Sequence, residues 1–492
     1  MLGHQLTPVR LAGLLAGVLA LFLFVFVDSP LRHDPEFGAR PALAAGVAAL
    51  MALWWLTEAL PIYVTACVPV LADPLLRVFG PTASENVRAT ARAYLDPYIF
   101  LFAGGMAIAA AMQRWDLHRR IALNIMAAIG TDPRRLLAGF LAATAFISLW
   151  ISNTATATMM MPIGLAVLAQ IEAQRGGERL RGFGMAVMLA IAYGANVGGI
   201  GTKIGTAPNA QFAGFAERIG IEVSFLQFMA VGLPFVLMFL PVVWWALWRM
   251  GREDRLEETV GAHVLAGEIA KLGRIRRQER IVLGVFLAAA ALWIGGKVLT
   301  SWLEPRITAF KLTSAHVEGG IAMLAALVLL AWRSGGHQVL TFRALRKVPW
   351  ETLLLLGGGF AMASAIQQSG LSAQTSRQLL GLRGLAPFTQ VLLASLATVA
   401  LSAVASNTAT IAVMLVVLHQ AVSPGQLPTV LFAATIASSC DFALPVGTPP
   451  NAIVFGSGYV TIPRMARTGV VLDLAAALLA AAWCWAIVRV VL

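Results

Sequence analysis

Apolar runs long enough to cross a lipid bilayer follow one another along almost the whole chain. A bilayer-spanning helix needs about 20 mainly apolar residues. Runs of about this length lie near 11–28, 42–59, 62–79, 97–113, 225–248, 281–300, 316–332, 351–370 and 468–490. Only 12% of the 492 residues are charged, against about 25% in a soluble domain, which excludes a soluble enzyme, a disordered chain and a fibrous repeat. The sequence therefore predicts an all-α polytopic membrane protein.

Two pairs of shorter apolar runs are each joined by the same polar tripeptide, Ser-Asn-Thr. The runs 136–151 and 155–172 meet at one copy, and the runs 385–404 and 409–422 meet at the other. Neither junction is long enough to form a loop in water, and irregular backbone at membrane depth is tolerated only where protein buries it or a wet cavity solvates it. We therefore expect two re-entrant helical hairpins whose tips turn near the middle of the membrane.

Two further apolar runs, 184–216 and 429–458, are long but interrupted. The first contains Gly-Gly-Ile-Gly-Thr-Lys-Ile-Gly-Thr-Ala-Pro-Asn over 198–209, and the second contains Leu-Pro-Val-Gly-Thr-Pro-Pro-Asn over 444–451. A continuous helix does not tolerate this density of glycine and proline. These runs predict discontinuous helices with an unwound middle.

The distribution of basic residues indicates the topology, because lysine and arginine are enriched in cytoplasmic loops. With a cytoplasmic N-terminus and both hairpins re-entrant, 23 of the 36 lysines and arginines lie on the cytoplasmic side, 12 lie outside, and Lys203 lies in the membrane. This arrangement has 11 transmembrane helices, an external C-terminus and a charged cytoplasmic linker over 249–280. Counting each hairpin arm as a full span gives the same parity, so the re-entrant assignment depends on the tripeptides. The net charge of +12 therefore indicates topology rather than nucleic-acid binding.

The two halves of the chain carry the same motifs in the same order. The Ser-Asn-Thr-Ala-Thr sequences over 152–156 and 406–410 are separated by 254 residues, and Gly-Thr-x-Pro-Asn over 205–209 and 447–451 by 242. In the predicted topology, one hairpin enters from the cytoplasm and the other from outside, so the repeats are inverted. Inverted repeats with broken helices are typical of secondary transporters whose site lies between the repeats at the midplane.

Each tripeptide precedes a predicted helix start. Such a start presents free N–H groups and about half a positive charge, and asparagine and threonine add further donors. Two tips that face each other would attract an anion without an arginine and offer one donor cluster to each carboxylate. A tetrahedral sulfate could bridge the same clusters. For a single tip, simple N-capping of a buried helix is the alternative explanation.

At these motifs the chain resembles the divalent anion–sodium symporter family of the ion transporter superfamily, which includes dicarboxylate, citrate and some sulfate carriers. The paired tips and breaks carry the resemblance, together with Trp-Trp-Leu-Thr-Glu-Ala-Leu-Pro over 54–61. The resemblance implies an elevator-type homodimer in which a transport domain slides against a fixed scaffold. The implied scaffold covers 1–128 and 281–372, and the implied transport domain covers 132–248 and 383–492.

The resemblance also implies the binding residues. One sodium ion would bind at Ser148, Ser152, Asn153 and Gly201. A second would bind at Ser402, Ala405, Asn407 and Ala443. The anion would contact Asn153, Thr154, Asn407 and Thr408, with Thr202 and Pro445 nearby. Because bound cations offset the charge of the anion, the two ligands favour each other's binding, which is the basis of coupling.

Two ionisable residues at membrane depth do not belong to this pattern. Lys203 lies inside the first break, and Asp441 lies just before the second. Such residues are functional candidates by default. We consider three possibilities for the ammonium group of Lys203: it replaces the first sodium ion, it pairs with Asp441, or it extends away from the site.

The sequence thus predicts a secondary active transporter, not an enzyme, that moves di- and tricarboxylates such as succinate, malate, fumarate or citrate across the inner membrane with sodium. The alternatives are a sodium-independent dicarboxylate exchanger with Lys203 in place of a sodium ion, and a carrier of sulfate or another divalent oxyanion. A membrane enzyme is a weaker possibility, because phosphate-loop, metalloprotease and nucleophile motifs are absent from the sequence. The expected partners are the anion, sodium, lipid and a second copy of the chain; no organic cofactor or nucleic acid is expected.

Overall fold

Helices form nearly all of the secondary structure in the computed structural model. It describes residues 7–254, 256, 262–307, 309, 311–346, 348–372, 374 and 383–492. The beginning of the predicted scaffold, part of the predicted linker and most of the segment before the second hairpin lie outside these residues. A two-stranded hairpin, β1 (Arg333–Ser334) and β2 (His337–Gln338), joins two helices at the surface.

The first half of the chain contains twelve described helices. They are α1 (Pro8–Phe26), α2 (Arg40–Leu56), α3 (Ile62–Thr65), α4 (Val68–Leu76), α5 (Ala83–Tyr94), α6 (Pro97–Arg114), α7 (Leu117–Ile129), α8 (Pro133–Ser148), α9 (Asn153–Gln174), α10 (Arg181–Gly199), α11 (Ala207–Arg218) and α12 (Phe225–Gly251). Short 3₁₀ helices cover Pro30–Arg32 and Arg252–Asp254.

The second half repeats much of this order. Its described helices are α13 (Ala262–Leu272), α14 (Arg277–Ile294), α15 (Gly296–Leu303), α16 (Ser314–Ala331), α17 (Phe342–Leu345), α18 (Trp350–Gln368), α19 (Pro387–Ser402), α20 (Asn407–Ala421), α21 (Leu427–Ser438), α22 (Pro449–Phe455) and α23 (Ile462–Val491). Short 3₁₀ helices cover Glu304–Arg306 and Pro424–Gln426.

Several helices are suited to a bilayer by length and composition. Over the described residues, seven are long and apolar enough to cross, or eight if the bent pair α14 and α15 is one span. That pair bends by 69° at Gly295, so the apolar run 281–300 is not the single straight span predicted from sequence. A multi-pass, all-α membrane fold is confirmed. The number of 11 transmembrane helices stays a prediction, because α2, α19, α20 and other apolar pieces are too short for a length criterion to count.

At each Ser-Asn-Thr sequence, where a hairpin was predicted, a short turn joins two helices that contact each other. Here, tip 1 denotes residues 149–154, which join α8 to α9 and include the first two residues of α9. Tip 2 denotes residues 403–408, which join α19 to α20 and include the first two residues of α20. The arms α8 and α19 have 16 residues each and α20 has 15. At 1.5 Å per residue, each is at most about 24 Å long, which is shorter than a hydrocarbon core of about 30 Å. Only α9, with 22 residues, is long enough to cross.

Both interrupted runs are discontinuous helices, as predicted. Break 1 is the segment 200–206 between α10 and α11, and break 2 is the segment 439–448 between α21 and α22. Proline occupies the second position of α11 and the first two positions of α22. Because proline lacks an N–H group, it is tolerated there but not in the preceding helical turns.

The helices pack in two groups. In one, α6 packs on α16, α16 on α14, and α18 on α5; in the other, α8, α9 and α12 surround α10, and α19, α21 and α23 pack together. These groups correspond to the predicted scaffold and transport segments. The division into moving and fixed domains stays a prediction.

The charged linker is attached to α7 by ion pairs. Arg119 pairs with Glu268 on α13, and Arg120 Nε lies 2.6 Å from Glu279 Oε2 at the start of α14. Hydrogen bonds from Lys271 and then from Arg119 lower the pKa of Glu268 despite its desolvation. The described part of the predicted solvated linker is therefore held against the amphipathic helix α7, which was not among the predicted apolar runs.

Candidate functional site

Both hairpin tips and both breaks line one cavity of about 520 Å³. Tip 1 and the following helix start contribute four residues, tip 2 contributes three, and each break contributes its Gly-Thr pair. These repeat-derived residues are Ser152, Asn153, Thr154, Ala155, Gly205, Thr206, Ser406, Asn407, Thr408, Gly447 and Thr448. The sequence motifs that define the inverted repeat are thus brought together around a single space. The cavity also borders the N-terminal half of α18 and the side chain of Phe102.

The helices that begin at the tips have N–H groups that no side chain caps. Ser152 and Ser406 occupy the N-cap positions of α9 and α20, but neither side chain accepts a hydrogen bond from its helix start. By contrast, the Thr448 hydroxyl accepts from the Asn451 N–H at the start of α22. Unpaired helix-start N–H groups attract anions. Simple N-capping therefore does not explain the serines of the tripeptides.

Each tip contains the same serine–asparagine contact. The Ser148 hydroxyl donates to Asn153 Oδ1 at 2.7 Å, and Ser402 Oγ lies 2.8 Å from Asn407 Oδ1. Both serines are fully buried. In each repeat a hydroxyl oxygen and an amide oxygen therefore meet behind the tip, and both are hard ligands of the kind that alkali and alkaline-earth cations prefer.

A second asparagine holds each break in its unwound conformation. The Asn209 Nδ2 group donates to the carbonyls of Gly199 at 2.8 Å and Thr202 at 2.7 Å. In the second repeat, Asn451 Nδ2 donates to the carbonyls of Asp441 and Leu444, both at 3.0 Å. The donors and the acceptors are all related by the 242-residue offset. The final asparagine of each Gly-Thr-x-Pro-Asn motif is thus a structural clamp that replaces lost helical hydrogen bonds.

Polar contacts also join the two repeats directly. Asn196 on α10 donates to the Thr448 hydroxyl in break 2 at 3.0 Å, and the Tyr193 hydroxyl donates to the Phe442 carbonyl at 2.7 Å. Asn196 also lines the cavity. These contacts place the second break against the helix that leads into the first.

The four break residues expected at the site do not line the cavity. Thr202 is fully buried and its hydroxyl donates to the Leu149 carbonyl. Gly201 packs against the Leu149 side chain. Ala443 and Pro445 are also buried, outside the cavity wall. The break residues on the wall are Gly205, Thr206, Gly447 and Thr448 instead.

The remaining expected residues divide between the wall and the layer behind it. Ser152, Asn153, Thr154, Asn407 and Thr408 line the cavity. Ser148, Ser402 and Ala405 are buried outside the lining. The sequence analysis therefore identified the tip residues on the wall correctly. In the breaks, it selected residues that precede the wall residues by a few positions in the sequence.

The cavity wall is nearly free of ionisable groups. Among the described residues that line it, Glu351 on α18 is the only ionisable one, and lysine, arginine and histidine are absent. The groups on this wall that can attract an anion are therefore helix starts, amides and hydroxyls. Neither Glu351 nor Asn196 was singled out from the sequence, because neither belongs to a repeated motif.

Lys203 does not enter this cavity. Its Nζ lies 2.7 Å from Glu318 Oε2 on α16, with both side chains fully buried. The ring centroid of Tyr98 lies 5.3 Å from the same nitrogen, and Glu318 Oε1 accepts from the Phe225 N–H at 2.7 Å. The proposed pairing with Asp441 is therefore wrong, because the ammonium group is paired with Glu318 instead. Glu318 was missed because it is a single acid within an apolar run.

Comparisons with known proteins agree with this geometry. Residues 14–491 match the family described as sodium:sulfate symporter transmembrane region. The chain is 35% identical over 472 residues to the sodium-dependent dicarboxylate transporter SdcS of Staphylococcus saprophyticus, covering 94% of this chain and 88% of that protein. It is 34% identical over 482 residues to the protein of the same name from Staphylococcus aureus, covering 96% and 89%.

A solved structure shares the fold. The YdaH transporter of Alcanivorax borkumensis superposes with a TM-score of 0.51 at 15% sequence identity, covering 80% of this chain and 86% of that one. At this identity the likeness concerns the fold alone. From the family match over nearly the full length, together with the paired tips and breaks, the chain belongs to the sodium:sulfate symporter family of membrane transporters.

Proposed function

We propose that this protein is a sodium-coupled symporter of dicarboxylates. The observation that carries the proposal is the single cavity between two uncapped helix starts, each preceded by Ser-Asn-Thr. Two similar donor clusters on opposite sides of one space suit an anion with a carboxylate at each end. The relatives that are 34–35% identical bear the name of sodium-dependent dicarboxylate transporters, which supports the same substrate class.

The anion is proposed to bind between the tips. One carboxylate contacts Asn153 and Thr154, and the other contacts Asn407 and Thr408. The hydroxyls of Thr206 and Thr448 belong to the breaks on the same wall, and they take the place that the sequence analysis gave to Thr202 and Pro445. Anions of the succinate, malate and fumarate class fit this arrangement, and citrate adds a third carboxylate.

Two sodium ions are proposed to bind behind the tips as co-substrates. The first uses Ser148, Ser152 and Asn153, closed by break 1. The second uses Ser402, Ala405 and Asn407, closed by break 2. Gly201 and Ala443 were the expected break ligands; we now favour the backbone near Gly205 and Gly447, because these glycines border the cavity.

Coupling follows from the shared asparagines. Asn153 and Asn407 would each contact a cation through Oδ1 while their tips face the anion. A bound cation therefore fixes the tip in the geometry that binds the anion and offsets part of its charge. By linkage, the anion raises the affinity for sodium by the same factor.

The proposal extends to the mechanism of transport. The transport domain, 132–248 and 383–492, would slide as an elevator against the scaffold, 1–128 and 281–372, in a homodimer. The protein would reside in the inner (plasma) membrane with its N-terminus in the cytoplasm and its C-terminus outside. The dense packing of helices within each of the two groups supports this division.

The test is uptake of labelled succinate by proteoliposomes containing the purified protein. A sodium gradient, a proton gradient and a counter-anion gradient are imposed one at a time. We expect uptake with the inward sodium gradient and little with potassium in its place. Uptake driven only by an internal dicarboxylate would instead indicate a sodium-independent exchanger.

Sulfate transport is the second candidate, because the matching family carries sodium:sulfate symporters in its description and a tetrahedral anion can also bridge two donor clusters. Competition separates the candidates. Unlabelled malate and fumarate should compete with labelled succinate at concentrations at which sulfate does not. Stronger competition by sulfate would replace the dicarboxylate proposal.

A further inference from the structure

Asp441 is a buried carboxylate without a hydrogen-bond partner in the described part of the chain. Its side chain is fully buried in break 2, and neither Oδ1 nor Oδ2 has a partner. A carboxylate in a low-dielectric environment is costly unless it is paired, hydrogen-bonded or bound to a cation. Lys203, which the sequence analysis considered as the ion-pair partner of Asp441, is paired with Glu318 instead. Within the described residues, this acid therefore has neither a hydrogen-bond donor nor an ion-pair partner.

The carboxylate lies directly beside the cavity wall. A Cβ atom added at Gly447 would overlap Asp441 Oδ2, so the acid occupies the space that a side chain at position 447 would need. Gly447 itself lines the cavity. The glycine of the second Gly-Thr pair thus leaves room for the acid next to the backbone that closes the proposed second cation site.

The internal repeat supports the same location. Asp441 and Gly199 are related by the 242-residue offset, and their carbonyls accept corresponding hydrogen bonds from Asn451 and Asn209. In repeat 1, a Cβ atom added at Gly199 would overlap Asn153 Oδ1. A side chain at position 199 would therefore begin beside the amide oxygen of Asn153, which is proposed to bind sodium. Asp441 occupies the corresponding position of the second repeat.

The segment before Asp441 is also in contact with tip 2. The Ser402 hydroxyl lies 2.7 Å from the Ser438 carbonyl and 2.8 Å from Asn407 Oδ1. The amide groups nearest to Asp441, those of Asn196 and Asn451, are directed to its backbone carbonyl rather than its carboxylate. The chain three residues before Asp441 is therefore in direct contact with the serine that bonds to the tip 2 asparagine.

Asp473 does not supply the missing charge. It is itself a buried acid on α23, and its Oδ1 accepts from the Phe442 N–H at 2.8 Å. A second carboxylate nearby increases the need for a cation. Of these two buried acids, Asp473 is therefore hydrogen-bonded by the backbone of break 2, whereas Asp441 is not.

We propose that the carboxylate of Asp441 is a direct ligand of the second cation, so that site 2 is anionic whereas site 1 consists of neutral oxygens. This inference rests on the proposed sodium-coupled function and specifies one of its sites. Affinity for a hard cation rises with the number of charged ligands. Site 2 is accordingly the tighter site and fills with sodium before the anion binds.

Sodium binding without the anion provides the direct test. Thermal unfolding of the purified protein is followed in increasing NaCl, with choline chloride holding ionic strength constant. A ligand that binds the folded state raises its stability with concentration. We expect Asp441→Asn to raise the half-saturating sodium concentration at least tenfold. A half-saturating concentration equal to that of wild type overturns the proposal.

Two further variants make the result specific. Asp73 on α4 is the matched control, because it is also fully buried with both carboxylate oxygens unpartnered but lies in the predicted scaffold; Asp73→Asn should keep the wild-type sodium dependence. If Asp441→Asn does not fold, Asp441→Gly installs the residue of the equivalent repeat 1 position and should show the same tenfold loss. An equal shift in Asp73→Asn would show a general effect of neutralising buried acids and would also overturn the proposal.

Succinate uptake separates this inference from the proposed function. If wild type takes up succinate with sodium but Asp441→Asn keeps the same sodium dependence, the ligand assignment fails and the function stands. If wild type takes up no succinate while Asp441→Asn still loses sodium-dependent stabilisation, the substrate class fails and the ligand assignment stands.

Discussion

The two breaks share a backbone design but differ in charge. In each, an asparagine clamps two carbonyls that the helix can no longer satisfy. Break 1 carries Lys203, which is paired with Glu318 on α16, whereas break 2 carries Asp441, which has no partner among the residues that the structure describes. The two repeats therefore share the backbone geometry of their breaks but place opposite charges in them. Break 1 is closed by the protein itself, and break 2 is left for a ligand to complete.

The ion pair of break 1 also crosses the predicted domain boundary. Lys203 belongs to the predicted transport domain and Glu318 to the predicted scaffold. An elevator movement would have to separate or carry this pair. Break 2 has no equivalent attachment among the described ion pairs, so the two halves of the site are held to the scaffold unequally.

Removing Lys203 should have the largest effect on stability. Lys203→Met leaves Glu318 buried without its partner, which costs about 3–5 kcal/mol. Adding Glu318→Gln removes the orphaned charge while keeping an oxygen for the Phe225 N–H, so the double variant should recover most of the loss. Chemical or thermal unfolding in detergent measures both. Equal stability of the single variant and wild type would show that the pair contributes nothing.

The tip asparagines should matter most for transport. Asn153→Ala and Asn407→Ala each remove an amide proposed to contact both cation and anion, and we expect each to lower kcat/KM for succinate about 100-fold, equivalent to about 2.7 kcal/mol. Initial rates of uptake at saturating sodium measure the effect. Thr158→Ala on the exposed side of α9 is the control, because its hydroxyl bonds only to the Thr154 carbonyl. Loss at one tip alone would contradict the shared site.

The clamp asparagines should affect folding about equally in the two repeats. Asn209→Ala and Asn451→Ala each remove the side-chain donor that bonds to at least two carbonyls at the adjacent break, and we expect a loss of about 1–3 kcal/mol in each. Unfolding midpoints measured without sodium report the loss of stability of the protein itself, because no ligand then contributes to the stability. A large effect in one repeat and none in the other would show that the two breaks are not held in the same way.

The smallest expected effect is on the sodium dependence of uptake, and it compares the two proposed cation sites directly. Ser148→Ala and Ser402→Ala remove corresponding hydroxyls, but only the second site retains a carboxylate. We expect the half-saturating sodium concentration for uptake to rise about tenfold in Ser148→Ala, or about 1.4 kcal/mol, and two- to threefold in Ser402→Ala. The reverse order would indicate that Asp441 does not support site 2.

Sequence reasoning predicted the hairpins and breaks because each of them is marked by residues that are incompatible with a continuous membrane helix. A polar tripeptide between apolar runs, or glycine and proline within one, cannot be fitted into a continuous membrane helix. The repeat then indicated that the two copies meet. The helix ends at the tips and breaks depend on residues that are adjacent in the sequence, and the structure contains them where they were expected.

The details inside the breaks could not be predicted in the same way. An unwound segment has no helical period, so the sequence does not show which residues face the cavity; Thr202 and Pro445 were chosen, whereas Thr206 and Thr448 line it. The partner of Lys203 lies 115 residues away in an apolar helix. No pattern connects the two, because a single buried contact between distant elements leaves no periodic trace in the sequence.

A structure determined with sodium and succinate bound, in lipid nanodiscs, tests the central claim most directly. The claim is that the two inverted tips and the two breaks enclose one substrate. We predict succinate-shaped density between Asn153-Thr154 and Asn407-Thr408, with a cation behind each tip. Density for succinate outside the space between the tips, or tips that do not share one cavity in the bound state, would contradict it.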